Sequence, residues 1–181
     1  DRPRAEAAAA LDRLRALGLR CSLLSGDRPE AALAVAQPLG FRDEDDVHGG
    51  LLPQDKLGAI HAWRARGEQV AMVGDGLNDA PALAAADVGI AIGAGGRGTD
   101  VAAQASTLTL LHDDLRRIPE GLVLARRTLR VIRQNLFWAF GFNALMLPLA
   151  MAGQLHPMGA SAAMAASSLL VLGNALRLRR A

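Results

Sequence analysis

Asp75 and Asp79 stand four residues apart in Gly74-Asp75-Gly76-Leu77-Asn78-Asp79-Ala80-Pro81, directly after the apolar run Gln69 to Val73. Carboxylates at that spacing, beside glycines that expose the backbone, suit a hard oxygen-seeking cation such as Mg²⁺ at the end of a strand. The same residues suit a turn that caps a helix, because Asp-Gly and Asn-Asp are common turn and N-cap pairs. Taken alone, the segment supports both readings equally. Two further features favour a ligand site. Ser25-Gly26-Asp27 ends an earlier apolar run, where a hydroxyl and N–H groups can hold a phosphate. Lys56 is the single lysine among 20 basic residues. A compact ammonium kept in an arginine-rich chain suits a phosphoryl group, although chance also leaves one lysine.

The elements that must position these residues follow from periodicity and stop signals. Ala5 to Leu17 is Ala/Leu-rich and stops at Gly18, and Leu19 to Leu24 is a short apolar run before Ser25. A helix from Glu30 to Leu39 ends at Gly40, and Pro53 opens another, Gln54 to Arg66, stopped by Gly67. Gln69 to Val73 reads as a buried strand, followed by a helix Asp79 to Ala86 and strands Val88 to Ile92 and Thr107 to Leu111. This alternation predicts an α/β domain, a βαβ array over a parallel sheet, with strand ends gathering Ser25, Asp75 and Asp79. The Gly/Ala-rich segment Gly93 to Gly98 reads as a loop ordered by a ligand or mobile without one.

The remainder is unlike a soluble domain. Every Asp and Glu lies at or before Glu120, and Gln134 to Leu176 holds no Asp, Glu, Lys or Arg over 43 residues. That length matches two membrane spans of roughly 20 residues each and a turn. The predicted spans are Leu136 to Gly153 and Met158 to Leu176, joined through Gln154-Leu155-His156-Pro157. Arg126, Arg127, Arg130 and Arg133 precede the first span and Arg177, Arg179 and Arg180 follow the second, so both ends are expected in the cytoplasm. From about Leu115 a long arginine-rich helix is expected to run into the first span.

Composition excludes other classes. Hydrophobic residues at 51% and a mean hydropathy of +0.18 exclude a disordered chain. A net charge of +2 with 3% aromatics and no Tyr argues against a nucleic-acid partner. A single cysteine, Cys21, forbids an intrachain disulfide and fits a reducing cytosol; it is expected as inert core within the first strand. His48, His61 and His112 have no ligand spacing, His156 and Met158 read as an ordinary polar loop, and Asp43 to Asp46 as a solvated one. The 181 residues allow one domain with an appendage, and Asp1-Arg2-Pro3-Arg4, with neither an initiator Met nor a signal segment, reads as part of a longer protein.

Polar residues inside a span are costly and usually functional. Asn143 lies mid-span, five residues before Pro148, whose missing N–H frees the carbonyl of Ala144. Met164, Ser167 and Ser168 share one face of the second span, and Met146, Met151 and Met158 lie nearby. Thioether with amide oxygen favours soft Cu(I), while Met and Ser equally serve as packing residues in membrane helices.

Strand-end Ser25, then Lys56, then the pair Asp75 and Asp79 resemble, in that order, the second, third and fourth motifs of the haloacid-dehalogenase superfamily of phosphotransferases. Gly74-Asp75-Gly76-x-Asn78-Asp79-x-Pro81-x-Leu83, Asp87-Val88-Gly89-Ile90-Ala91, Gln134-Asn135-Leu136-x-Trp138-Ala139-Phe140 and Asn174-Ala175-Leu176-Arg177-Leu178 are similar to the C-terminal part of a heavy-metal P-type ATPase. This resemblance covers essentially the whole chain. It implies a partial Rossmann-like haloacid-dehalogenase domain followed by a two-helix transmembrane hairpin. Residues 1–114 would be the rear of the phosphorylation domain, 115–135 a cytoplasmic stalk helix, 136–176 the hairpin and 177–181 a cytoplasmic tail. It further implies that Ser25 contacts the phosphoryl group, that Lys56 neutralises it, and that Asp75 binds Mg²⁺ with Asn78 and Asp79 completing the site.

Two departures accompany it. The Asp-Lys-Thr-Gly-Thr segment that bears the phosphorylated aspartate does not occur here, so the chain alone is expected not to turn over ATP. Ser-Gly-Asp replaces the usual Thr-Gly-Asp and keeps the hydroxyl. For cargo, Phe142-Asn143 is similar to the Tyr-Asn pair of copper-transporting members, and Met164-Ala165-Ala166-Ser167-Ser168 to their Met-x-x-Ser-Ser. Zinc, cadmium and lead pumps carry a Lys in the first of these helices and an Asp in the second, and neither occurs here. The implied transported-metal residues are Asn143, Met164 and Ser167. The expected activity is ATP-driven export of Cu(I) across the plasma membrane in a multi-pass pump. Its partners would be copper, the lipid bilayer, N-terminal domains of the same polypeptide and, where one exists, a copper chaperone. The competing readings are a non-catalytic membrane-anchored domain that binds phosphate and Mg²⁺, a soluble phosphatase, and a pump for another heavy metal.

Overall fold

The computed structural model describes residues 3–41, 46–75, 77–93, 103–110, 114–154 and 156–180. The chain divides into two compact units, Asp1–Pro119 and Glu120–Ala181. The expected segments Asp43 to Asp45, Gly76, Ala94 to Gly98, Leu111, His112 and Leu155 lie outside the described residues.

The first unit alternates helix and strand. Helix α1 (Ala7–Ala16) leads to β1 (Leu23–Leu24), α2 (Pro29–Ala36) to β2 (Val47–His48), α3 (Pro53–Ala65) to β3 (Ala71–Gly74), and α4 (Ala80–Ala85) to β4 (Val88–Ile92), before β5 (Leu108–Leu110). Proline at the first helical position starts α2 and α3, where its missing N–H leaves no bond unmade and its fixed φ is already helical. All strand pairs are parallel, but they form two sheets, β1-β2 and β3-β4-β5, where a single sheet is expected from the alternation. The β1 ladder holds only Leu23 opposite Val47 and Leu24 opposite His48. The expected strand Leu19 to Leu24 therefore contracts to its last two residues. Arg20 is drawn instead into an ion pair with Asp46 at 2.7 Å.

The core joins helices to the second sheet. Ile60 of α3, Leu83 and Ala82 of α4, Met72 of β3 and Ala91 of β4 form one buried cluster, with Leu24 and Trp63 packed against it. Ile60 and Leu83 are 1% exposed, and burial of each such side chain contributes roughly 2 to 3 kcal/mol. Alanines at the helix contacts keep α4 close to the sheet. The closeness is extreme at Gly89, where a Cβ would lie 2.5 Å from the carbonyl oxygen of Leu83 and 3.3 Å from Cα of Ser106. Both neighbours are backbone and cannot swing aside. Gly89→Ala is expected to destabilise the chain by about 3 kcal/mol, whereas Gly58→Ala, with nothing within 4 Å on α3, leaves it unchanged or slightly more stable. Urea midpoints of the two variants compare these effects, and equal midpoints would refute the packing argument.

The second unit is a helical pair. Helix α5 (Arg117–Met151) runs 35 residues with Pro148 inside it, and α6 (Pro157–Leu176) follows a short turn. From Val131 onward the half-shielded positions on α5 are Val131, Asn135, Ala139, Phe142, Met146 and Leu149, and those on α6 are Ala160, Ala163, Ser167, Val171 and Asn174. Both sets recur at spacings of three or four, so each marks a half-shielded seam along one face of its own helix. Small residues dominate the α6 side, which is the composition that lets membrane helices approach. Asn174 Nδ2 donates to Asn135 Oδ1 at 2.9 Å and to Gln134 Oε1 at 3.2 Å, so an amide clasp joins the two helices at one end. Among the described residues, Met158–Leu176 is the one helix segment long and apolar enough by composition to cross a membrane. The uncharged part of α5 ends with the helix at Met151, so its last 18 helical residues include Gln134 and Asn135, and these two amides lower the mean hydropathy of that stretch.

Candidate functional site

Lys56 and Asp79, 23 residues apart in sequence, meet at the end of β3. Lys56 lies in the first turn of α3, which is held in place when the Asp55 carboxylate accepts the N–H of Leu52 at 2.8 Å. Asp79 closes a short 3₁₀ turn, Leu77–Asp79, and precedes α4. Nζ of Lys56 donates to Oδ1 of Asp79 at 2.7 Å, and each side chain is 14% exposed. Two charges so far from water hold each other, because either one alone would keep its desolvation cost without compensation.

Gly74, the last residue of β3, makes room for this pair. A Cβ there would lie 2.8 Å from both Cβ and Oδ2 of Asp79. The glycine of the Gly-Asp-Gly segment thus serves close approach of the second carboxylate to the strand end. Asp75 follows, exposed at the same end, and Asn78 is exposed in the 3₁₀ turn. Asp79 has one oxygen committed to Lys56, so Asp75 is the carboxylate that faces solvent. Carboxylate and amide oxygens fit Mg²⁺ and not a soft metal. Among the described residues no three His, Cys, Asp or Glu side chains converge on a metal position.

Ser25 sits at the end of β1, half-buried. Its N–H donates to the His48 carbonyl at 2.8 Å, and its Oγ accepts the N–H of Asp27 at 3.1 Å and lies 3.4 Å from Asp27 Oδ2. The hydroxyl therefore stands in a tight turn with backbone N–H groups beside it. The Ser25 carbonyl accepts the N–H of Leu51 at 3.0 Å, and the next N–H, of Leu52, belongs to Asp55 at the start of α3. Consecutive residues thus connect the Ser25 turn to the helix that carries Lys56.

The transported-metal candidates lie on the helical pair. Ser167 is on the half-shielded seam, while Met164 is 74% exposed and Asn143 is exposed. Asn143 Nδ2 donates to the Ala139 carbonyl at 2.9 Å, which leaves its carbonyl oxygen as the ligand atom it presents. His156 caps α6, its Nδ1 accepting the N–H of Met158 at 3.4 Å.

Two interactions escaped sequence reasoning. Asp87, quoted above only as part of a motif, pairs with Arg64 at 3.1 Å, and its Oδ2 accepts the N–H of Val70 at 2.9 Å, while Arg64 donates to the Ala85 carbonyl at 2.8 Å. These bonds bind α3, the approach to β3 and the end of α4, the frame around Lys56 and Asp79. The second is the Asn174 clasp. Cys21 also differs from expectation: it precedes β1 and is half-buried, since the strand is too short to include it. Burial pushes its thiol pKa up, opposed by Arg15 and aided by Asp46. A raised pKa keeps the thiol protonated through neutral pH, so iodoacetamide should alkylate it several-fold more slowly than a free cysteine at pH 8 and catch up only in stronger alkali. Labelling at the free-thiol rate would contradict that environment.

The class of the first unit follows from its match: residues 1–87 match the family of haloacid dehalogenase-like hydrolases. The chain is 51% identical over 173 residues to the "Cation-transporting P-type ATPase B" of Mycobacterium bovis, covering 96% of this chain and 22% of that protein. It is 50% identical over 179 residues to the "Copper-exporting P-type ATPase" of Mycobacterium leprae, covering 99% of this chain and 22% of that protein. A zinc-transporting PIB-type ATPase crystallised in its E2.Pi state superposes with a TM-score of 0.86 at 42% identity, over 98% of this chain and 28% of that one. The chain belongs to the P-type ATPase family. It spans about a fifth of the length of the curated relatives it matches.

Proposed function

We propose that this chain forms the rear of the phosphorylation domain and the last two membrane helices of a Cu(I)-exporting P-type ATPase, within a polypeptide that also supplies the phosphorylated aspartate. The observation that carries the reading is the shielded Lys56–Asp79 pair, 2.7 Å long, at a strand end shared with Asp75 and Asn78. A single ammonium held by a carboxylate at the mouth of a parallel sheet can be offered to a phosphoryl group, whose transfer depends on positioning and charge neutralisation.

In this mechanism Ser25 donates its hydroxyl to a phosphoryl oxygen. Lys56, oriented by Asp79, brings a positive charge to the same group, and the frame of Arg64 and Asp87 fixes α3 and α4 around it. Mg²⁺, held by Asp75 with Asn78 and Asp79 at its border, would neutralise phosphoryl charge when bound. Residues 1–114 serve the phosphorylation domain, 115–135 the stalk, 136–176 a hairpin with both ends in the cytoplasm, and 177–181 a tail. In the bilayer Asn143, Met164 and Ser167 contribute to a Cu(I) path, together with groups from helices outside this chain.

Copper is favoured over zinc by the 43 uncharged residues from Gln134 to Leu176, which offer thioether, amide and hydroxyl groups and no carboxylate. The experiment is ATP hydrolysis by the complete polypeptide, reconstituted in lipid with Mg²⁺, measured with Cu(I) under reducing conditions and with Zn²⁺. Stimulation by Cu(I) alone supports the proposal; stimulation by Zn²⁺ alone removes the copper assignment and leaves the pump.

A further inference from the structure

We propose that the arginine face of α5 just before the uncharged run is a binding site for an anionic phospholipid headgroup. The proposal rests on the reading of Leu136 to Gly153 as a membrane span. Arg126, Arg130 and Arg133 follow one another at spacings of four and three, one face of the helix, and Phe137 continues the row. They line, with Leu129 and Trp138, a concavity of about 610 Å³ on the second unit. Basic groups occupy one end of it and aromatic rings the other, Phe137 and Trp138 packing edge to face at 5.7 Å.

Charge complementarity identifies the occupant. No Asp or Glu occurs from residue 121 to 181, so the formal charge of this stretch is wholly basic. A lipid presents the matching sequence of groups: a phosphate for the guanidinium forks and, one turn deeper, acyl chains for Phe137 and Trp138. Arginine suits the role because its planar fork takes two phosphate oxygens at once. Each such residue near an anionic membrane surface strengthens attachment to that surface roughly fivefold.

The test uses the full chain in phosphatidylcholine vesicles with Trp63→Phe, so that Trp138 is the single fluorophore. Brominated phosphatidylglycerol is compared with brominated phosphatidylcholine at equal mole fraction. Quenching several-fold stronger with the phosphatidylglycerol is expected at low salt, declining as salt rises and lost in Arg130→Gln/Arg133→Gln. Equal quenching by both bromolipids overturns the headgroup site while leaving the span intact. A preference that survives the double substitution overturns it as well, and so does one abolished by millimolar inorganic phosphate, which would mark a site for a free anion. No quenching by either lipid overturns the span itself, and the site with it.

Discussion

Lys56→Ala, placed in the complete polypeptide, is expected to slow phosphoenzyme turnover by roughly a hundredfold or more, the cost of removing one preorganised charge from a reacting oxygen. A structural explanation predicts a different pattern, and a second substitution separates the two. Removing Lys56 leaves the Asp79 carboxylate at 14% exposure with no counter-charge, which should also cost stability, about 2 to 3 kcal/mol for a partly buried pair. Lys56→Ala/Asp79→Asn removes that orphaned charge and should recover most of the thermal stability. Turnover should stay low, because the ammonium is still missing. Lys56→Arg should recover little, since a planar guanidinium does not replace a point charge seated 2.7 Å from one oxygen. If turnover in the double variant returned with stability, Lys56 would be a structural cation and its catalytic assignment would fall.

The pairing behind that prediction shows where sequence reasoning stops. The residue types were legible: a solitary lysine, a strand-end serine and two carboxylates at close spacing stand out in an arginine-rich chain. Which carboxylate takes the lysine was not, because Asp75 and Asp79 are equivalent by composition. The choice is made by Gly74, whose missing Cβ admits Asp79 to the strand end. Long elements were legible for a similar reason. Helices α3 and α5 carry their own stop signals or charge pattern, and β4 occupies Val88–Ile92 as its apolar run predicts. Strand β2, two residues long beside Gly49-Gly50, has no period to read; its existence depends on the β1 backbone opposite it. The role of Asp87 is likewise set by two partners far from it in sequence, Arg64 on α3 and the N–H of Val70 just before β3.

The largest effect expected in the membrane concerns cargo. Met164→Leu should reduce Cu(I) stimulation of ATP hydrolysis at least tenfold while leaving Zn²⁺ without effect, since leucine keeps the volume and removes the thioether. Its 74% exposure on the helical pair means that leucine disturbs no packing within this unit, so lost stimulation would report ligation. Asn143→Asp sharpens the comparison. The amide donates to the Ala139 carbonyl and presents its oxygen, and aspartate keeps an oxygen but replaces that donor with charge. A hard carboxylate in the span should weaken Cu(I) stimulation and raise the response to Zn²⁺. Cu(I) stimulation that survives both substitutions would take these residues out of the path. Met164 would then be a lipid-facing side chain and the Asn143 amide a local helix bond, with the selectivity for metal carried wholly by helices outside this chain.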